Sequence, residues 1–185
     1  KLNSFTESAS YEFRKALQEF FDSGSRKLIL DLRNNPGGFL TIAVDIASWW
    51  APPGEVILKE RLTGGEEELY RSNGYRLLTD VPTVVLVNEG SASASEIVAG
   101  ALRDLRGIKL IGTKTFGKGS VQEVQNLPGG SSLKVTIAKW LTPNGTEING
   151  KGLEPDIAVE LPKDRELEPD EDPIMEKGIE VLKSL

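Results

Sequence analysis

Val81-Pro82-Thr83-Val84-Val85-Leu86-Val87 runs directly into Asn88-Glu89-Gly90-Ser91-Ala92-Ser93-Ala94-Ser95-Glu96-Ile97. The first part is a short, unbroken apolar run rich in β-branched residues and reads as a buried strand from Pro82 to Val87. The second is a small, polar turn opening a helix that carries Val98, Ala101, Leu102 and Leu105 on one side. Strand, tight turn and helix in that order form the unit of an α/β layer. The unit occurs a second time upstream. Lys27 to Leu32 is an apolar strand, and Arg33-Asn34-Asn35-Pro36-Gly37-Gly38 is a turn. Leu40, Ala43, Val44, Ala47 and Trp50 then mark a helix that Pro52-Pro53-Gly54 stops.

Around these units, Ser8 to Asp22 places Phe13, Leu17 and Phe20 at helical spacing ahead of Gly24. Glu55 to Ser72 reads as two strands around Gly64-Gly65, and Ile108 to Ile111 as another strand. Leu133, Val135 and Ile137 alternate with Lys134, Thr136 and Ala138, which predicts a strand with its odd-numbered face buried. The expected class is α/β, a mixed sheet with flanking helices. Residues 1–161 are expected to form one core. Residues 162–185 are expected to be an acidic linker (Glu166, Glu168, Asp170, Glu171, Asp172) and a short helix opened by Pro173, with Ile174, Ile179 and Leu182 on one side.

Composition removes several chemistries. The chain has neither His nor Cys, which excludes a Ser-His-Asp triad, a Cys-His pair and almost every zinc site. Nothing in the sequence asks for a metal or a cofactor. A net charge of −6 and the lack of a basic stripe argue against nucleic acid as a partner. No apolar stretch reaches the ~18 residues needed to span a bilayer.

Without histidine, lysine is the natural base for a serine nucleophile. Ser93 stands at a strand-to-helix turn, beside free backbone N–H groups and the positive end of a helix, where a developing oxyanion is stabilised. Ser93 and Glu96 also fit a capping box, a purely structural role, and Ser91 and Ser95 compete for the chemical one; spacing does not choose among the three. Lys118 lies between Gly117 and Gly119. A lysine acting as a base must lose its proton, which asks its surroundings to disfavour the ammonium form; most lysines are instead solvated surface residues. Gln122 is on the same side as Lys118 if the segment is extended, but four strand residues span ~13 Å, so contact needs a bend near Gly119. Asn35-Pro36-Gly37-Gly38 is either a plain tight turn or a source of exposed amides for an oxyanion hole, with the Ala94 N–H as second donor. Gly112 to Lys118 also matches the first part of a phosphate-binding loop. The match fails where Gly119 replaces the magnesium-binding Ser or Thr, and no helical pattern follows.

Four blocks in order, over roughly residues 1 to 160, carry a family resemblance. They are Leu30-Asp31-Leu32-Arg33-Asn34-Asn35-Pro36-Gly37-Gly38, Val87 to Ile97, Thr115-Phe116-Gly117-Lys118-Gly119-Ser120-Val121-Gln122, and Thr142-Pro143-Asn144-Gly145. Together they resemble the carboxyl-terminal processing peptidases, the tail-specific serine proteases of family S41. The resemblance implies a Ser-Lys peptidase with a fold related to the ClpP and crotonase families, acting through an acyl-enzyme on polypeptides with unstructured C-terminal tails. It puts the nucleophile on Ser93, the base on Lys118, the orienting amide on Gln122, and the oxyanion donors on Gly38 and Ala94. It also implies an extracytoplasmic setting: periplasm, cell envelope or thylakoid lumen. Members commonly carry a PDZ domain that captures the tail, and an export signal. Neither is in these 185 residues, so the expectation is a catalytic core, excised or reduced, whose loops around Gly38 and Lys118 come into register when substrate or a PDZ domain engages. Two other classes are compatible with the same blocks: an inactive or latent peptide-binding core, and a crotonase-like acyl-CoA enzyme that uses the amide hole without a serine nucleophile.

Overall fold

The structure is a computed structural model that describes residues 1–162, 168 and 170–185. The expected α/β architecture is present, with its two strand directions segregated into separate sheets. Strands β1 (Leu28–Asp31), β4 (Thr83–Val87), β5 (Lys109–Gly112) and β8 (Ile157–Ala158) form a parallel sheet in the order β1-β4-β5-β8. Strands β2 (Val56–Leu62), β3 (Glu67–Arg71), β6 (Ser120–Asn126) and β7 (Ser132–Leu141) form an antiparallel sheet in the order β3-β2-β7-β6. Helices α1 (Ala9–Asp22), α2 (Leu40–Ala47), α3 (Ala94–Arg106) and α4 (Pro173–Ser184) complete the described elements.

The parallel sheet explains the unbroken apolar run at residues 83–87. Successive side chains of β4 point to opposite faces, and both faces are covered. Val85 and Val87 enter the larger core with Leu30, Ile46, Trp50, Ile97 and Leu102. Val84 and Leu86 meet Ile174 and Leu182 of α4 on the other side. Each such side chain contributes about 1.5–3 kcal/mol when fully buried, so the central strand anchors the turn at its C-terminal end, where Ser93 stands.

Two expectations need correction, and one strand was not anticipated. The odd-numbered face of β7 is not buried: Leu133 and Val135 are exposed, whereas Ala138 and Leu141 are buried. Residues 122–136 are exposed throughout because they pair only within the β6–β7 ladder, and β2 joins β7 no earlier than Ala138. Strand β6 has no signature in the sequence, its run Gln122-Glu123-Val124-Gln125-Asn126 being polar on both faces. In α4, Ile179 is exposed and Gly178 takes the buried position, because a Cβ there would come within 2.8 Å of a Leu86 methyl. Of the expected acidic linker, Glu166 lies outside the described residues.

Arg33 fastens α4 to the loop after β1. Its guanidinium donates to Asp31 at 2.8–2.9 Å and to Asp172, the N-cap of α4, at 2.6–2.9 Å. At the far end of the helix, Lys27 Nζ donates to the Leu182 carbonyl at 2.9 Å. Burial pushes the Asp31 carboxyl up, but its hydrogen bonds to Arg33 and the charge of Arg33 outweigh that and hold it below the ordinary range. The Arg33 hydrogen bonds lower Asp172 against a smaller opposing effect of burial. Carboxyls depressed in the folded state contribute stability that is present above their unfolded pKa and lost as pH falls through the folded value. The window is therefore on the acid side of about pH 4. Thermal melts from pH 7 to pH 3 should show Asp172→Asn less stable than the native chain at neutrality, with the gap narrowing in acid. A gap independent of pH would show that the pair carries no such linkage.

Candidate active site

Two loops meet at the C-terminal ends of β1 and β4. The glycine loop is stitched to the serine turn by main-chain and side-chain bonds. Ala92 N–H donates to the Asn35 carbonyl at 3.0 Å, and the Asn34 and Asn88 side chains bond to each other at 2.9 Å. Asn35, fully buried, accepts the Gly37 N–H at 2.9 Å and donates to the Leu2 carbonyl at 2.8 Å. Gly37 has φ +101°, and a Cβ on it would stand 2.7 Å from the Ser93 Cβ and 2.9 Å from the Ala94 nitrogen. Glycine is required there by both conformation and space. On its other side the loop is tied to the N-terminal segment, Phe5 N–H donating to the Gly37 carbonyl and Phe39 N–H to the Phe5 carbonyl.

Among the main-chain donors left without an acceptor among the described residues are the Gly38 N–H and the Ala94 N–H, the latter at the first position of α3. Main-chain N–H groups left unpaired at such a site are uncommon and suit a ligand oxygen.

Hydrogen bonding separates the three serines that spacing leaves equivalent. Ser91 Oγ donates to the Leu32 carbonyl at 2.8 Å and Ser95 Oγ to the Asn35 carbonyl at 2.9 Å, both fully buried. Ser93 is 7% exposed. The capping box with Glu96 is present: the Glu96 carboxylate accepts the Ser93 N–H at 2.9 Å. The Glu96 N–H goes to the Ser93 carbonyl at 2.9 Å and faces the Ser93 hydroxyl as well, which accepts there at most and donates to no described residue. Ser93 also has φ +58° and ψ −116°, a conformation that costs a non-glycine residue about 1–3 kcal/mol. Such strain is typical of a nucleophile presented on a sharp strand-to-helix turn.

Lys118 sits on a loop fixed at nearly every main-chain group. Thr115 N–H donates to the Leu153 carbonyl, Phe116 N–H to the Ser91 carbonyl, and Gly150 N–H to the Gly117 carbonyl. Gly117 and Lys118 both donate their N–H to the Glu96 carboxylate, at 2.7 and 2.9 Å. The Lys118 side chain itself is exposed and forms no hydrogen bond or ion pair with a described residue. Gln122 is exposed too, paired with Thr136 just past a bulge between Val121 and Gln122. The structure thus brings Ser93, Ala94 and the glycine loop together and seats the Lys118 main chain beside them. It does not join Lys118 to Ser93 or to Gln122 by a hydrogen bond. Strand β6 starts at Ser120, so Lys118 does not open a helix and the phosphate-loop geometry is absent. Among the described residues no group of His, Cys, Asp or Glu could hold a metal ion, and no helix is long and apolar enough to cross a membrane.

Glu96 and Asn35 are the members of this site that sequence reasoning missed. Glu96 read as a local helix cap, and Asn35 as part of a turn.

The sequence model described as "Peptidase family S41" matches residues 1–159. A protein of Staphylococcus epidermidis described as a "probable CtpA-like serine protease" is 43% identical over 163 residues, covering 88% of this chain and 33% of that protein. The chain thus spans about a third of the length of such relatives. The solved photosystem II D1 C-terminal processing protease is 36% identical with a TM-score of 0.78, covering 85% of this chain and 41% of the other. A lipoprotein from Streptococcus agalactiae shares the fold, with a TM-score of 0.69 at 21% identity over 97% of this chain and 62% of its own.

Proposed function

The chain belongs to peptidase family S41, and on that premise we propose that it is a serine endopeptidase with Ser93 as nucleophile and Lys118 as base. One observation carries the reading. Of the three serines on the turn, only Ser93 has a hydroxyl that donates to no described residue, and it stands beside two N–H groups unpaired among the described residues, those of Gly38 and Ala94.

In the acylation step Ser93 Oγ attacks the scissile carbonyl carbon while neutral Lys118 Nζ takes the hydroxyl proton. The carbonyl oxygen gathers negative charge and accepts from the Gly38 and Ala94 N–H groups. Collapse of the tetrahedral intermediate breaks the C–N bond; Lys118 gives the proton to the departing amine, leaving an ester on Ser93. Water then attacks that ester with Lys118 again taking and returning a proton, which releases the new carboxyl terminus and restores the serine. Gln122 orients the lysine amine. The Ser93 and Lys118 main chains already share the Glu96 carboxylate; closing the set requires the Lys118 side chain to reach Ser93 Oγ and Gln122 to reach the lysine. Residues 1–161 carry this chemistry, and 162–185 add the helix fastened by Arg33.

The substrate class is unstructured polypeptide, entering tail first, outside the cytoplasm and with a PDZ domain as capture module in the full-length protein. The exposed Lys118 side chain, without a partner among the described residues, favours one second reading, a latent core that binds peptide without cutting it. Incubation with an unfolded polypeptide and mass spectrometry of the products decides between them. New C-termini in time-dependent yield are expected, and intact polypeptide after prolonged incubation, at concentrations where binding is measurable, would support the latent core instead.

A further inference from the structure

Glu96 is a fully buried carboxylate with no basic side chain on it among the described residues. An ionised group in that position is costly unless hydrogen bonds replace its water. Here four donors do so. Oε1 accepts from the Thr115 hydroxyl at 2.6 Å and the Gly117 N–H at 2.7 Å; Oε2 accepts from the Ser93 N–H and the Lys118 N–H, each at 2.9 Å. A single oxygen therefore holds the main chains of the two residues to which the peptidase reading gives the chemistry. Two bonds of this length to one atom keep their nitrogens within roughly 6 Å of each other. Thr115 extends the link, its Oγ1 accepting the Leu153 N–H at 2.7 Å.

A helix cap needs only the bond to Ser93. The other three bonds go to a loop 19 to 22 residues further along the chain and do nothing for α3. They bring the base-bearing loop onto the nucleophile-bearing turn, while the bond from the Ser93 N–H to the same carboxylate braces Ser93 in its strained backbone conformation. We infer that Glu96 is a positioning residue of the proposed Ser-Lys pair: its carboxylate sets the spacing and orientation of Ser93 and Lys118 without touching substrate. The inference rests on the peptidase reading above.

Glu96→Gln keeps the size but offers one acceptor oxygen. Either the Ser93 and Lys118 amides or the Gly117 amide and Thr115 hydroxyl must then face an NH2 group. Errors of about 1 Å in such a set cost up to ~100-fold in rate. The expected result is a fall in kcat of roughly 10- to 100-fold with KM within about threefold of the native value. A fluorophosphonate provides the control. Its labelling endpoint counts folded sites and should be unchanged, while its labelling rate reports Ser93 alignment and should fall with kcat.

A native kcat and labelling rate per titrated site in Glu96→Gln would overturn the inference, and so would a loss confined to the number of sites, since that describes a structural cap alone. If Glu96→Gln does not fold, Glu96→Asp is judged by the same readouts and the same limits; its shorter arm cannot span both loops. Native chain that the probe fails to label, and that cuts no unfolded polypeptide, would overturn the peptidase reading and this inference with it. Normal labelling of the native chain and of Glu96→Gln alike would overturn the inference only.

Discussion

Ser93→Ala should abolish cleavage of an unfolded polypeptide, by a factor on the order of 10⁴–10⁶ in kcat, and leave the fold intact. The size follows from removing the only atom that forms the covalent bond; what remains is the contribution of the oxyanion donors and of binding. The fold should tolerate the change because the hydroxyl donates to no described residue, the Glu96 N–H it faces keeps its bond to the Ser93 carbonyl, and alanine keeps the Cβ against which Gly37 packs. The melting temperature should therefore shift by less than the loss of a working N-cap, which costs ~1 kcal/mol. Ser91→Ala and Ser95→Ala should behave in the opposite way. Each loses a buried bond to a carbonyl of the glycine loop segment, so stability falls first and activity only as the loop loosens. Full activity in Ser93→Ala, or loss of activity without loss of stability in Ser91→Ala, would remove Ser93 from its role.

Lys118→Arg should be as inactive as Lys118→Ala, with a loss of at least ~10³ in kcat for each. A guanidinium stays protonated under all conditions in which the protein is folded and cannot take the serine proton. Neither change should alter stability, because the lysine side chain is exposed and forms no hydrogen bond or ion pair with a described residue. Since the site is open to solvent at that point, a small primary amine added to Lys118→Ala should restore part of the rate, while Lys118→Arg, with the space filled, should gain little. Gln122→Ala should be milder than either, as an orienting amide is expected to be. Native activity in Lys118→Arg would mean that the proton goes elsewhere.

Both strand-turn-helix units, and the glycine and serine loops between their elements, were legible in the sequence, because each is written locally. The run Thr83 to Val87, the helical spacing of Val98, Ala101 and Leu102, and the glycines at 37 and 38 are short-range signals that the tertiary structure reinforces. The choice among Ser91, Ser93 and Ser95 was not legible from the residues themselves. It depends on acceptors at Leu32 and Asn35, some 60 residues away, and only the family resemblance pointed to the middle one. Glu96 was hidden for the opposite reason: a local pattern explained it too easily, and its bonds to residues 115–118 have no sequence signature. The burial of β7 failed on an assumption. Alternation tells which residues share a face, but not that anything lies against it, and no described residue buries Leu133 or Val135.

That projecting ladder divides the protein by local stability. From Gln122 to Thr136 the hairpin is held by its own cross-strand bonds, whereas Ser93, Gly38 and Glu96 rest against the buried core, where local opening is expected to cost more. Opening of the hairpin is correspondingly cheaper than global unfolding, and the bulge between Val121 and Gln122 falls at the boundary. Of the proposed set, Gln122 alone belongs to the looser unit. On the proposed reading, the fraction of molecules with an oriented lysine would follow the opening and closing of about fifteen exposed residues, and anything that lies along the hairpin and stiffens it would shift that population without touching the nucleophile.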